Sequence, residues 1–227
     1  TTLLCRILDA HPEVCVVNEV VTPDEIDGIF RSNDSATELI NALQRKGALL
    51  NQKDWGLKHP YLTYHLHNIH DQLPNTKIVI VMRDGRAVAN SYLKVKWGTA
   101  NIYSGALKWK EEVQIQNEFM SNYPGVACFL RYEDLITDPE SSLKDLCAFL
   151  DVPYHESMLK FYKKPAAFRQ HENNINTSRP IDPNIMYKWK KNLSQFQINV
   201  FEKIAGDTLI ENNYPLIGDR INLPNFF

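Results

Sequence analysis

Four short segments of this 227-residue chain carry side chains suited to chemistry, and each stands where a strand should end or a helix begin. Thr1 and Thr2 open TTLLCRILD, in which Leu3, Leu4, Ile7 and Leu8 share one helical face. Hydroxyls beside the unpaired N–H groups of a helix start suit a phosphate, because dipole and donors both favour negative charge. An ordinary capped helix is the plain alternative. Glu19, beside Asn18, follows the apolar run Cys15-Val16-Val17, and Lys58-His59 closes a short strand at 54–58. Arg83 leaves the β-branched run Thr76 to Met82, and Ser91 lies about two turns into the helix that follows. Arginine offers phosphate a fixed fork of donors, and serine adds one more. The competing structural role for Arg83 is an ion pair with a neighbour such as Asp84.

The elements that must position these residues alternate between strand and helix. A helix is expected from Ala36 to about Lys46, capped by Asp34 or Ser35 and ended by Gly47, and a second from Pro60 to about Gln72. TKIVIVM, 76–82, is apolar on both faces, as a central parallel strand requires. The turn Arg83-Asp84-Gly85-Arg86 leads into a helix ending near Gly98; a long helix, about 105–123, then precedes a strand at 126–131. Tyr132-Glu133-Asp134 connects to a helix at 141–150, and beyond Asp151 only helices remain, near 155–162, 183–191 and 195–212. This alternation predicts an α/β fold: one domain over 1–227, a three-layer open parallel sheet flanked by helices. In such folds ligands bind beyond the carboxyl ends of the strands, so the four segments should converge.

Composition narrows the function classes. Hydrophobic residues make up 44% and charged residues 23%, which excludes a disordered or collagen-like chain. With 25 basic against 27 acidic side chains the net charge is −2, too balanced for a general nucleic-acid or membrane-surface binder. No apolar run approaches the ~20 residues that span a bilayer. Cys5, Cys15, Cys128 and Cys147 form no CxxC pair and lie in apolar stretches, which suggests buried thiols and a reducing, cytoplasmic compartment.

Taken together, several pieces resemble the PAPS-dependent sulfotransferases, and most closely their tyrosylprotein-sulfotransferase-like branch. They are TTLLCRILDAHPEV (1–14), Asn18-Glu19, LKHP (57–60), VMRDGRAVANSYL (81–93), RYEDLITDPESSLKDLCAFLDVPY (131–154), and TSRP with the later YKW (177–189). The resemblance implies a P-loop-like sulfotransferase fold, PAPS as co-substrate without a metal, and an acceptor hydroxyl on a peptide tyrosine, a carbohydrate or a small alcohol. It places Thr1 and Thr2 at the end of a 5'-phosphosulfate loop whose beginning, with its strand, is expected upstream of Thr1. It assigns Arg83 and Ser91 to the 3'-phosphate, Tyr132 to the nucleotide, and Ser178 and Lys188 to a closing C-terminal segment, with Ser178 also stabilising the transition state. Lys58 becomes the cation on the transferring group and Glu19 the base. His59 stands as the rival base, because cytosolic relatives use a histidine shortly after a lysine, although here the adjacency differs by one residue. Sulfuryl transfer must remove the acceptor's proton and stabilise the leaving bisphosphate, which calls for one base and several fixed donors.

Two other function classes compete: a P-loop small-molecule kinase and a non-catalytic module that binds PAP or PAPS. A kinase should show GxxxxGK[ST] and a Mg²⁺-binding aspartate at a strand end. Remaining features have plain readings. His65, His67 and His70 resemble a metal cluster, but residues two apart do not share a helix face. The lysines at 94, 96, 108, 110, 190 and 191 read as solvated faces, and Trp97, Trp109 and Trp189 as core, with Trp189 also able to line a lid.

Overall fold

The computed structural model describes residues 1–48, 54–95, 98–165 and 177–218. Trp97, Lys96 and most of the polar stretch 170–178 lie outside them. Helix α1, Thr2–Asp9, precedes strand β1, Val14–Asn18; α2, Pro23–Phe30, and α3, Ser35–Arg45, lead to β2, Asp54–Lys58. A 3-10 turn, Pro60–His65, and α4, Leu66–Gln72, precede β3, Ile78–Met82, which feeds α5, Gly85–Tyr92. Then come α6, Ile102–Asn122; β4, Ala127–Arg131; α7, Tyr132–Thr137; and α8, Pro139–Leu150. The C-terminal part is helical: 3-10 turns at Glu156–Lys163 and Pro183–Ile185, α9 at Trp189–Asn192 and α10 at Gln195–Glu211.

The strands form two parallel pairs, β1 with β2 and β3 with β4, and among the described residues the pairs are not hydrogen-bonded to each other. The expected continuous sheet is therefore seen as two halves. Three layers are nonetheless present, and β3 shows why its sequence is apolar throughout. Val79 and Val81 pack on the core of α1, α7 and α8, whereas Ile78, Ile80 and Met82 face Phe119 of α6 and the helices α5, α6 and α10. A third cluster joins Val17 of β1 to Ile26, Ile29, Ala42 and Leu43 of α2 and α3.

Several elements differ from expectation. Helix α2 is set by a complete capping box, in which the Thr22 side chain accepts from Glu25 N–H, Glu25 accepts from Thr22 N–H, and Pro23 stands at the first helical position. The stretch 60–72 is not one helix. Its first six residues wind as a 3-10 turn tied to α2, since Tyr61 Oη donates to Asp27 at 3.1 Å and His65 Nε2 meets the same carboxylate at 2.9 Å. Tyr132-Glu133-Asp134 opens α7 instead of connecting strand to helix, and the expected helix at 155–162 is another 3-10 turn.

Candidate active site

The register of the two strand pairs determines which side chains meet. In the first pair Asn18 lies opposite Lys58, and Glu19 N–H donates to Lys58 O at 2.9 Å, extending the ladder by one bond. Glu19 then turns away with φ of 51°, a left-handed conformation that costs a side-chain-bearing residue roughly 1–2 kcal/mol and marks a position held by its surroundings. The turn brings the Glu19 carboxylate onto Lys58 Nζ as an ion pair, with the lysine side chain 12% exposed and the glutamate 37%. In the second pair Met82 lies opposite Arg131, so the residues that leave the strands next, Arg83 and Tyr132, are neighbours. The Arg83 guanidinium sits over the Tyr132 ring, 4.3 Å from its centroid.

The turn beneath Arg83 is fixed from four directions. Asp84 N–H donates to Glu133 Oε1 at 3.1 Å, and Asp84 caps α5 by accepting from Arg86 N–H at 2.9 Å. Asp84 also binds the buried Arg86 guanidinium through both oxygens, at 3.0 and 2.8 Å. Arg86 is held further by Glu202 and by Pro215 O at 3.0 Å, and lies over the Trp189 ring at 4.3 Å. Gly85 leaves no room for a side chain: a Cβ there would stand 2.4 Å from the Trp109 ring and 2.6 Å from Phe201. Asp84 is thus committed to Arg86, and no ion pair between Asp84 and Arg83 occurs among the described residues. Arg83 instead keeps a buried Nε with no hydrogen-bond partner among the described residues.

All of this opens into one cleft of about 1320 Å³. Of the ten residues singled out from sequence, Thr1, Thr2, Glu19, Lys58, Arg83, Ser91, Tyr132 and Lys188 line it. The α1 N-terminus enters without a side-chain cap on its first N–H groups, as an anion site there requires. Lys58 and Arg83 line the same cleft as that helix start, which adds two cations to it.

His59 and Ser178 do not line the cleft. His59 Nδ1 accepts from Tyr61 N–H at 3.1 Å and so caps the 3-10 turn, the helix-entry role open to a residue before Pro60. Burial pushes the His59 pKa down, with Glu19 opposing and Lys58 assisting. Ser178 is exposed, while its neighbour Thr177 is buried and faces the cleft, so the C-terminal segment presents a hydroxyl one residue earlier than the sequence pattern suggests. The histidines at 65, 67 and 70 are occupied otherwise: His65 with Asp27, and His67 and His70 against the Phe119 and Tyr123 rings. Among the described residues no group of three metal-ligating side chains occurs. No helix among them is long and apolar enough to cross a membrane.

Sequence reading missed one further wall of the cleft. Trp109, Val113 and Phe119 of α6 are buried, and Glu112 and Gln116 lie on the same stripe yet line the cleft with Thr63 and Tyr92. Two polar side chains at core-facing spacing were the available signal.

Comparison with known proteins bears on the family and the fold. Residues 29–156, more than half of the chain, match the group described as "Sulfotransferase family". A Caenorhabditis briggsae protein named "Putative protein-tyrosine sulfotransferase" is 29% identical over 184 residues, covering 72% of this chain and 65% of its own. This chain thus spans about two thirds of that relative's length. Among solved structures, the sulfotransferase domain from the curacin biosynthetic pathway superposes with a TM-score of 0.65 at 16% identity, covering 95% of this chain and 94% of its own. Mouse sulfotransferase SULT7A1, complexed with PAP, does so with a TM-score of 0.55 at 15% identity, over 94% and 81% of the two chains. The cleft at the strand ends, the layered α/β frame and the sequence match lead to one conclusion: the chain belongs to the sulfotransferase family.

Proposed function

We propose that this chain transfers the sulfuryl group of PAPS to the hydroxyl of an acceptor and releases PAP. The observation that carries the reading is the cleft's division of labour: an uncommitted arginine stacked on an aromatic ring at one pair of strand ends, and a carboxylate paired with a lysine at the other. In this reading Arg83 and Ser91 hold the 3'-phosphate, Tyr132 and Lys188 flank the nucleotide, and the α1 N-terminus with Thr1 and Thr2 receives the 5' end. Lys58 has three donors, so it can hold Glu19 with one and reach sulfonate oxygens with another. Glu19 accepts the proton as the acceptor oxygen bonds to sulfur and the bond from sulfur to the 5'-phosphate oxygen breaks. A hydroxyl from the 177–178 segment and Lys58 stabilise the charge that develops in between.

The names of the relatives favour a tyrosine phenol as acceptor, and the PAP held by the mouse structure favours the adenosine bisphosphate site. Against a kinase stands the commitment of Asp84, the carboxylate just beyond β3, to Arg86. Incubation with radiolabelled PAPS and a simple phenol tests the proposal: a labelled aryl sulfate and stoichiometric PAP are expected. Tight PAP binding with no product from a panel of phenols and alcohols would contradict it and leave a binding module.

A further inference from the structure

Arg83 owes its place to the peptide beneath it, and that peptide is tied to the C-terminal part of the chain. The Asp84 N–H belongs to the peptide that joins Arg83 to Asp84, and it donates to Glu133 Oε1 at 3.1 Å. The other oxygen of Glu133 accepts from Tyr214 Oη at 2.9 Å. Glu133 follows Tyr132 directly, so one residue fixes both members of the Arg83–Tyr132 stack. Tyr214 arrives through the end of α10. Asn213 turns left-handed with φ of 60°, its N–H donates to Ile210 O at 2.9 Å, and Tyr214 N–H donates to Leu209 O at 2.8 Å, a Schellman closure that ends the helix. Tyr214 is then 4% exposed, in the core cluster that contains Met82, the last residue of β3. Its ring faces the Arg131 guanidinium at 4.5 Å, and Arg131 donates to Asn212 O at 2.7 Å. Burial and the Glu133 charge push the Tyr214 phenol well above its ordinary pKa, so it stays a donor.

Arg83 itself gains little direction from hydrogen bonds: its Nε is buried without a partner among the described residues, and its guanidinium lies on the Tyr132 ring. The aim of its donors therefore depends on the backbone under residue 83 and on that ring, and Glu133 fixes both. Resting on the sulfotransferase reading above, in which Arg83 holds the 3'-phosphate, we infer that Glu133 and Tyr214 are a positioning pair that aims Arg83 at this phosphate. The C-terminal segment 212–215 thereby takes part in selecting nucleotides that carry a 3'-phosphate, although neither Glu133 nor Tyr214 lines the cleft. Without the Tyr214 hydroxyl, one Glu133 oxygen loses its donor in a half-buried setting, and the carboxylate is free to turn toward the Arg131 guanidinium. That movement releases Asp84 N–H, and with it the backbone that carries Arg83.

Paired calorimetric titrations read this directly, with PAP and with adenosine 5'-monophosphate, which lacks only the 3'-phosphate. Wild type should bind PAP the more tightly. Tyr214→Phe deletes one oxygen and should weaken PAP about three- to tenfold, the worth of one hydrogen bond, while leaving adenosine 5'-monophosphate unmoved. Glu133→Ala should weaken PAP further, and Glu133→Gln, which keeps an oxygen for Asp84 N–H, should restore most of the loss. In an Arg83→Ala background Tyr214→Phe should cost no further PAP affinity, because the pair acts through Arg83. Thermal melts show which variants are folded; if Glu133→Ala is not, Tyr214→Phe and the double variant decide alone. Equal losses for both nucleotides, or an undiminished Tyr214→Phe effect without Arg83, would make the pair merely structural and overturn the inference. A Tyr214→Phe chain that keeps the full wild-type preference for PAP overturns it too, with the 3'-phosphate reading intact. A wild-type chain with no preference for PAP defeats that reading itself, and the inference with it.

Discussion

Two arginines three residues apart should respond to substitution in opposite ways. Arg86 is buried and binds Asp84, Glu202 and a backbone carbonyl, so Arg86→Ala strands two carboxylates in the interior. Breaking such a network typically costs about 3–5 kcal/mol, and a chain of this size loses roughly 2–4 °C of Tm per kcal/mol. A fall of roughly 6–20 °C is expected. Among the described residues Arg83 shows no such network: its replacement removes a stacking contact with Tyr132 worth ~0.5–1 kcal/mol and a buried Nε that has no hydrogen-bond partner there. Arg83→Ala should therefore leave Tm nearly unmoved. What it should lose is the nucleotide, by ~2–4 kcal/mol for one partner of a close charge pair, or roughly 30- to 700-fold in the Kd of PAP. Adenosine 5'-phosphosulfate lacks the 3'-phosphate and should bind both proteins about equally. Calorimetry with both nucleotides and a thermal melt of both variants make the comparison. Equal losses for the two nucleotides, or an Arg83→Ala melt as low as that of Arg86→Ala, would refute the division of roles.

Two further outcomes follow from the same region. Gly85→Ala forces a methyl group into the buried rings of Trp109 and Phe201, so overpacking should cost about 1–3 kcal/mol, read as a lower urea midpoint. An unchanged midpoint would show that the rings give way. The third concerns acid: His59 is held neutral by burial, so its folded pKa lies below that of the unfolded chain and the unfolded state binds the extra proton. Stability should fall as pH drops through about 6.5, the unfolded histidine value, and His59→Gln should flatten that slope on the acid side of it. Superimposable slopes would remove His59 from the acid response.

The strands and their ends were legible because their signals are local. The β-branched run ending at Met82 predicts β3 to within two residues, and Glu19, Arg83 and Tyr132, which leave strand ends, line the cleft. What escaped depended on partners distant in sequence. Arg83 and Arg86 look alike in Arg-Asp-Gly-Arg, and only the arrival of Glu202 and Pro215 from the C-terminal part decides which one is structural. That His59 caps the 3-10 turn by accepting Tyr61 N–H could be read only from the fold. The segment 60–65 carried a helix start at Pro60, but contacts of Tyr61 and His65 with Asp27 hold it as a 3-10 turn. Helix α2 carries a local signal too, Thr22-Pro23 with Glu25 three residues after the cap. Glu112 was hidden by its helix, since a glutamate on an apolar stripe has meaning only once that stripe borders a cleft.

Glu19, paired with Lys58 at the end of β1, is the residue proposed to remove the acceptor's proton. Glu19→Gln preserves the shape and removes the basicity, and single-turnover transfer from PAPS to a phenol, measured beside His59→Gln, tests it most directly. Glu19→Gln should transfer about 10² to 10⁴-fold more slowly with PAP affinity nearly unchanged, and His59→Gln should lose much less. Near-normal transfer by Glu19→Gln together with an inactive His59→Gln would contradict it and move the base to His59.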